Sequence, residues 1–147
     1  MDNHSRYLPI KDEDLVYLSG RCPNLRAVIA ALPPIQRLIE PDPFAAVIST
    51  IIGQQISGKA QDGILRRFEQ RFGDMTLENL SETTIEELRS VGISGRKAET
   101  ILRFTSAVQD GSIALDSFNI LPDQEIIRQL TEIKGIGVWT AEMVLMF

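Results

Sequence analysis

Two stretches 43 residues apart repeat one short pattern, and that repeat constrains the fold more than any other feature of the chain. Gly92-Ile93-Ser94-Gly95-Arg96-Lys97-Ala98-Glu99-Thr100-Ile101-Leu102 aligns without gaps on Gly135-Ile136-Gly137-Val138-Trp139-Thr140-Ala141-Glu142-Met143-Val144-Leu145. Gly, Ile, Ala, Glu and Leu recur in register, and Ile101 faces Val144. Ile85, Leu88 and Val91 precede the first copy at helical spacing, and Ile126, Ile127, Leu130 and Ile133 precede the second. Each copy therefore reads as helix, glycine turn, helix. A helix opening directly after Gly135-Ile136-Gly137 points its free N–H groups into an uncovered turn, which suits an anion such as a nucleic-acid phosphate. The same glycines also suit a helical hairpin that only needs close packing, and the turn alone does not choose between the two.

The rest of the chain carries helical spacing and predicts an all-α fold. Phe44, Val47, Ile48, Ile51 and Ile52 follow i, i+3, i+4, i+7, i+8 after Pro43, a wide apolar stripe expected of a central helix. The next position on that stripe is Gln55. Upstream, residues 1–11 read as a tail or an edge-packing arm. Asp12 is expected to cap a helix from Glu13 to about Ser19, closed by Gly20. Pro23 suits the start of a second helix with Leu25, Val28, Ile29 and Leu32 on one face, stopped by Pro33-Pro34. Downstream, Ser57 caps a helix whose face is Gln61, Ile64, Leu65, Phe68 and Phe72, ended by Gly73-Asp74. Residues 76–80 form a short helical connector, and Thr83 or Thr84 caps the next helix with Glu86 or Glu87 in its first turn. Ser94 caps a helix over 95–109 that buries Ala98, Ile101, Leu102, Thr105 and Val108. Residues 112–122 form a loop anchored by Ile113, Leu115, Phe118, Ile120 and Leu121, and a helix over 124–132 leads into the second turn. The organisation expected is one helical domain over 1–147, with N-terminal helices in 1–42 and a core over 43–147 that ends in the hairpin 130–147.

Charge and composition exclude several classes. No apolar run is long enough to cross a membrane. Cys22 is the single cysteine, so no internal disulfide and no cysteine-rich metal site forms. A net charge of −5 argues against a non-specific nucleic-acid coat, because phosphate binding rests on clustered Lys and Arg. Lys59, Arg66, Arg67 and Arg71 form one basic cluster and Arg96, Lys97 and Arg103 another, with Lys134 in the hairpin itself. The first cluster reads mainly as a solvated helix face. The final Met143-Val144-Leu145-Met146-Phe147 is apolar without a capping residue, which leads us to expect that the chain is a fragment or that this end packs on something else, with association through it left open.

From about Pro43 onward the sequence resembles the helix–hairpin–helix DNA glycosylases, and within them the 3-methyladenine DNA glycosylase II branch. The marks are Phe44, Ile51-Ile52-Gly53-Gln54-Gln55-Ile56-Ser57, Val91 to Ala98, and Ile133 to Glu142. The resemblance implies a multi-helix orthogonal bundle with a helix–hairpin–helix DNA-binding motif. It implies that Gly135, Gly137 and Val138, helped by Lys134, grip a phosphate of double-stranded DNA carrying alkylated bases. Gln55 falls where such enzymes place the side chain that fills the hole left by a flipped base. Trp139 stands where relatives that also cut the backbone carry a lysine nucleophile. Tryptophan forms no imine, so the implied enzyme is monofunctional. Trp139 would instead line a base pocket, where an indole face attracts a cationic methylated purine, although a core aromatic on an amphipathic helix is the other reading of this residue. Backbone carbonyls of Thr131, Ile133 and Ile136 are implied to hold a Na or K ion, and no other cofactor is expected. No catalytic residue lies in this chain on this reading; the family's aspartate is expected beyond Phe147. Localisation follows as cytoplasmic, or nuclear in a eukaryote. A non-catalytic helix–hairpin–helix DNA-binding module is the alternative, and a helical interaction domain the third reading.

Overall fold

The computed structural model describes residues 7–8, 10–33 and 38–146. Residues 1–6 of the expected tail, the second proline of Pro33-Pro34 and the terminal Phe147 lie outside the described residues. Two compact units divide the chain, one reaching Ile39 and the other running from Glu40 to Met146.

The first unit holds α1 (Asp12–Arg21) and α2 (Pro23–Ala31), packed on each other, with an isolated antiparallel bridge between Tyr7 and Leu38. Asp12 does not cap α1. Lys11 holds the N-cap position without a side-chain bond, and Asp12, Glu13 and Asp14 all lie in the first turn, where the free amides favour negative charge. Gly20 lies inside the helix instead of closing it. Pro23 does open α2, but the predicted face is not a buried one: Leu25, Val28 and Leu32 are exposed.

The second unit is built around α3 (Pro43–Gly53). Asp42 caps it, accepting from the Phe44 amide at 2.8 Å, and Pro43 fills the first turn where no N–H is needed. The predicted stripe is the core: Val47, Ile48, Ile51 and Ile52 are fully buried and Phe44 nearly so. Each such side chain contributes about 1.5–3 kcal/mol of transfer free energy. Around α3 pack α4 (Gly58–Phe72), α7 (Gly95–Gln109), α9 (Val138–Met146) and a 3₁₀ turn at Leu115–Asn119. The short helices α5 (Leu77–Ser81) and α6 (Ile85–Ser90) pack on α7, and α8 (Asp123–Thr131) packs on α9. Ser57, Thr76, Thr84 and Ser94 cap α4, α5, α6 and α7. At α6 the Glu87 carboxylate accepts in return from the Thr84 amide, a reciprocal capping box that holds its pKa down. Two expectations fail, one loop anchor and part of one helix face. Ile120 is 83% exposed, and the buried face of α7 centres on Thr100, Ile101 and Phe104 while Leu102 and Val108 are only partly covered.

The end of α8 carries a charge cluster that gives a pH prediction. Arg128 donates to Glu125 and to Glu132, and Gln129 also donates to Glu125. The Arg128 bond, then the Gln129 bond, hold the Glu125 carboxyl down to about 2 from its ordinary 4.5. A depressed carboxylate adds stability above its ordinary pKa and loses it as the pH falls through the folded value. The melting temperature is therefore expected to drop modestly between about pH 4.5 and about pH 2 from this group. Arg128→Met should flatten that part of the thermal-melt profile, and an unchanged profile would show that the cluster is energetically idle.

Candidate nucleic-acid interface

The second turn is a tight reversal between α8 and α9. The Ile133 amide bonds to the Leu130 carbonyl at 3.2 Å and the Ile136 amide to the Ile133 carbonyl at 3.0 Å; α9 then closes its first bond from Ala141 to Gly137 at 3.0 Å. Ile136 is buried and pins the turn to the core, while Lys134, Gly135 and Gly137 face outward. The two glycines differ. Gly135 has φ +109, and a Cβ there would lie 2.0 Å from the Thr100 hydroxyl oxygen on α7. Gly137 has no atom within 4 Å of where its Cβ would be. Close packing explains the first glycine and leaves the second open. Among the described residues the amides of Gly135, Gly137 and Val138 donate to no protein acceptor, so they are free for an anion.

The first turn shares the glycine conformation but not the hydrogen bonds, its Gly92 amide donating to the Arg89 carbonyl at 3.0 Å and its Ile93 amide to the Leu88 carbonyl at 3.3 Å. Gly92 has φ +99, Ile93 is buried as Ile136 is, and Ala98 and Ala141 are both fully buried. The occupant beside the glycine differs. Where Thr100 packs on Gly135, the Arg67 guanidinium lies 2.7 Å from a Cβ at Gly92, and Arg67 Nε donates to the Val91 carbonyl at 2.8 Å. Arg67 is exposed, as expected of a solvated helix face, and uses one edge of its guanidinium to tie α4 to the first turn. The second basic cluster thins: Arg103 pairs with Glu99 at 3.0 Å, and Lys97 is drawn inward. Its ammonium donates to the carbonyls of Ile52 at 2.8 Å and Gln54 at 2.7 Å, and burial lowers its pKa. Arg96 and Lys134 are left exposed beside the turns.

Between the two turns lies the C-terminal corner of α3. The helix ends at Gly53, before the stripe reaches residue 55. Gln54 then turns inward, its amide donating to the Gly135 carbonyl at 3.3 Å and to the Thr140 hydroxyl at 3.1 Å. Gln55 faces solvent with φ +55, a strained conformation for a non-glycine that costs on the order of 1 kcal/mol or more. Gln55 is therefore not a continuation of the stripe; it is exposed at the corner that follows the helix. A cleft of about 560 Å³ runs here, lined by Gln54, Gln55, Arg96, Lys97, Thr100 and Gly135. A larger cleft of about 840 Å³ between α3 and α4 is bordered by Glu40, Asp42, Asp62, Glu69 and Asp74, the wrong sign for phosphate.

Trp139 lies in the first turn of α9, two residues after Gly137, and is 60% exposed. It is not a core aromatic; Thr140, Ala141 and Val144 make the buried side of this helix. Among the described residues no group of His, Cys, Asp or Glu is placed to hold a metal. The sequence reading missed Gln54, Lys97, Thr100 and Thr140. Thr140 had a signal, since it stands beside Ala141 on the buried side of an otherwise apolar helix. Nothing local marked Gln54 over Gln55.

A helical bundle with an open-backed glycine turn between two helices, tied to a projecting corner of its central helix, has the frame of a helix–hairpin–helix fold. The chain belongs to the HhH-GPD superfamily of base excision DNA repair proteins, whose family model matches residues 48–145. It is 30% identical over 139 residues to DNA-3-methyladenine glycosylase 1 of Schizosaccharomyces pombe, covering 90% of this chain and 61% of the relative. It is 31% identical over 116 residues to a DNA-3-methyladenine glycosylase of Saccharomyces cerevisiae, covering 71% of this chain and 38% of that one. The solved structure of the Schizosaccharomyces pombe 3-methyladenine DNA glycosylase in complex with abasic DNA superposes with a TM-score of 0.81 at 30% identity, covering 92% of this chain and 69% of that one. The chain thus spans less than two thirds of the length of these curated relatives.

Proposed function

We propose that this chain forms the DNA-gripping body of a monofunctional glycosylase that hydrolyses the N-glycosidic bond of alkylated purines such as 3-methyladenine in base excision repair. The observation that carries the reading is the asymmetry of the second turn, in which Gly135 is filled by Thr100 and Gly137 is left open beside free amides. The amides of Gly135, Gly137 and Val138, with Lys134, hold a phosphate beside the lesion, a contact that positions the strand without reading its sequence. Gln55 fills the gap in the stack once the base is out, where a flat amide can hydrogen-bond the orphaned partner. Trp139, exposed near that grip, offers an indole face to the cationic base. The carbonyls of Thr131, Ile133 and Ile136 form a neutral oxygen set suited to a monovalent cation, which would add positive charge near the phosphate; Ile133 keeps one lone pair for it beside the Ile136 bond. A place beside DNA, in the cytoplasm or in a nucleus, fits the same reading, and no described helix is long and apolar enough to cross a membrane.

The test is affinity for an abasic-site duplex across a salt series, followed by base release from methylated duplex. Binding should weaken steeply with salt and be lost in Gly137→Asp, which places a carboxylate against the phosphate. Release of a free methylated purine, leaving an uncut abasic strand, would support glycosylase activity. Because the sequence reading assigns no catalytic residue to this chain, binding without release is expected of it alone; binding without release in a protein that also carries the catalytic carboxylate would favour the non-catalytic DNA-binding module, and salt-insensitive or absent binding would sink both readings.

A further inference from the structure

We infer that Lys97 is a positioning residue that holds the Gln54–Gln55 corner in the shape from which Gln55 enters DNA, an inference that rests on the function proposed above. The last carbonyls of α3 have no partner within their own helix. Lys97 reaches across from the first turn of α7 and satisfies two neighbours of the corner at once, Ile52 at 2.8 Å and Gln54 at 2.7 Å. Its charge also meets the negative end of the α3 dipole. The residue that follows, Gln55, is the one non-glycine with positive φ among the described residues. Such a conformation persists only where its surroundings hold it. On its other side the corner is tied by the Gln54 amide to Gly135 and Thr140. Lys97 and Thr140 occupy equivalent positions of the two repeated units, so the repeat places one residue of each on opposite groups of the same glutamine.

This clamp serves little inside the fold, because Gln55 and Ile56 are both exposed. What it fixes is the direction of an exposed side chain relative to the turn that would grip the phosphate. Insertion then begins from a corner already set, without ordering a loop at the moment of binding.

The test uses the full chain and a duplex with 2-aminopurine opposite an abasic analogue, where entry of a wedge changes the fluorescence of the stacked base. Wild-type protein at saturation should change the signal, and Gln55→Ala should not. Lys97→Met should lose the amplitude about fivefold or more while keeping the salt slope of binding and the melting temperature. Lys97→Arg should restore it, since a guanidinium fork can bond both carbonyls. If Lys97→Met does not fold, Lys97→Gln carries the same test, its amide being too short to span both carbonyls. A full signal in the lysine variants overturns the inference and leaves the proposed function standing. Amplitude, salt slope and melting temperature falling together would reduce Lys97 to a structural cap and overturn it as well. No signal and no salt-dependent binding in the wild type would overturn the proposed function, and this inference with it.

Discussion

Gly135→Ala is expected to damage the fold, while Gly137→Ala, two residues on, should leave the fold intact and weaken DNA binding. A Cβ at residue 135 would sit 2.0 Å from Thr100 Oγ1, 2.9 Å from its Cγ2 and 3.0 Å from its Cβ. Thr100 cannot swing away freely. It is buried on α7, and its hydroxyl is bonded to the Arg96 carbonyl at 3.0 Å. The backbone at φ +109 adds its own strain. Left-handed strain of about 1–3 kcal/mol and overpacking of about 1–3 kcal/mol together give a loss of roughly 2–6 kcal/mol, a large part of the stability of a small domain. Thr100→Ala in the same chain removes two of the three clashing atoms and not the φ strain, so the double variant should recover only the steric part. Gly137 meets neither obstacle, since nothing lies within 4 Å and its φ is outside the left-handed range. On the proposed grip its methyl would stand between the backbone and the phosphate, and the Kd for abasic duplex should rise about tenfold or more. Urea unfolding and fluorescence anisotropy on both variants decide the matter. Gly135→Ala as stable as wild type would show that Thr100 does not fill that space, and unchanged affinity in Gly137→Ala would remove the phosphate from this turn.

That contrast also marks where the sequence stops being legible. Gly-Ile-Gly reads as a turn because only glycine tolerates positive φ at no cost. Which glycine carries the φ and which keeps the surface open depends on Thr100, 35 residues away on another helix. Local pattern did find α3, because five apolar residues at helical spacing allow one face only. It failed one step later. The stripe extrapolated to Gln55 assumes that the helix continues, but α3 stops at Gly53, where the Gln61 side chain fills the space a Cβ would need (its amide nitrogen would be 2.9 Å away) and Lys97 caps the free carbonyls. Gln55 still came out as the projecting residue, for the different reason that Gln54 turned inward. One basic residue misled in the same way. Lys97 looks like surface charge in one dimension and spends that charge on backbone carbonyls of the α3 corner. Long-range hydrogen bonds of this kind leave no periodicity to read.

The second large effect is expected at Phe104, which the helical spacing of α7 did not single out. Reading i, i+3, i+4 from Ala98 selects Ile101, Leu102, Thr105 and Val108, a stripe suited to a helix with one packing partner. α7 has more: α3 on one side, α5 and α6 on others. Its buried arc is therefore about half of the circumference and takes in Thr100, Phe104 and Ala107 as well. Phe104 is fully buried and stacks on Phe44 with ring centroids 5.4 Å apart and planes at 26°, joining α7 to the first turn of the central helix. Removing the ring loses its transfer free energy and leaves a cavity that the surrounding helices fill only in part, so Phe104→Ala should cost about 3–5 kcal/mol. For a domain of this size that lowers Tm by roughly 10–20 °C. Leu102→Ala, at the partly covered position the pattern favoured, should cost clearly less. Thermal melts of the two variants separate the one-partner stripe from the observed arc, because the former makes Leu102 the more damaging loss. The outcome also bears on the interface: the Ser94 cap, Lys97 and Thr100 all ride on α7, so a helix loosened at Phe104 should lose DNA affinity before it unfolds.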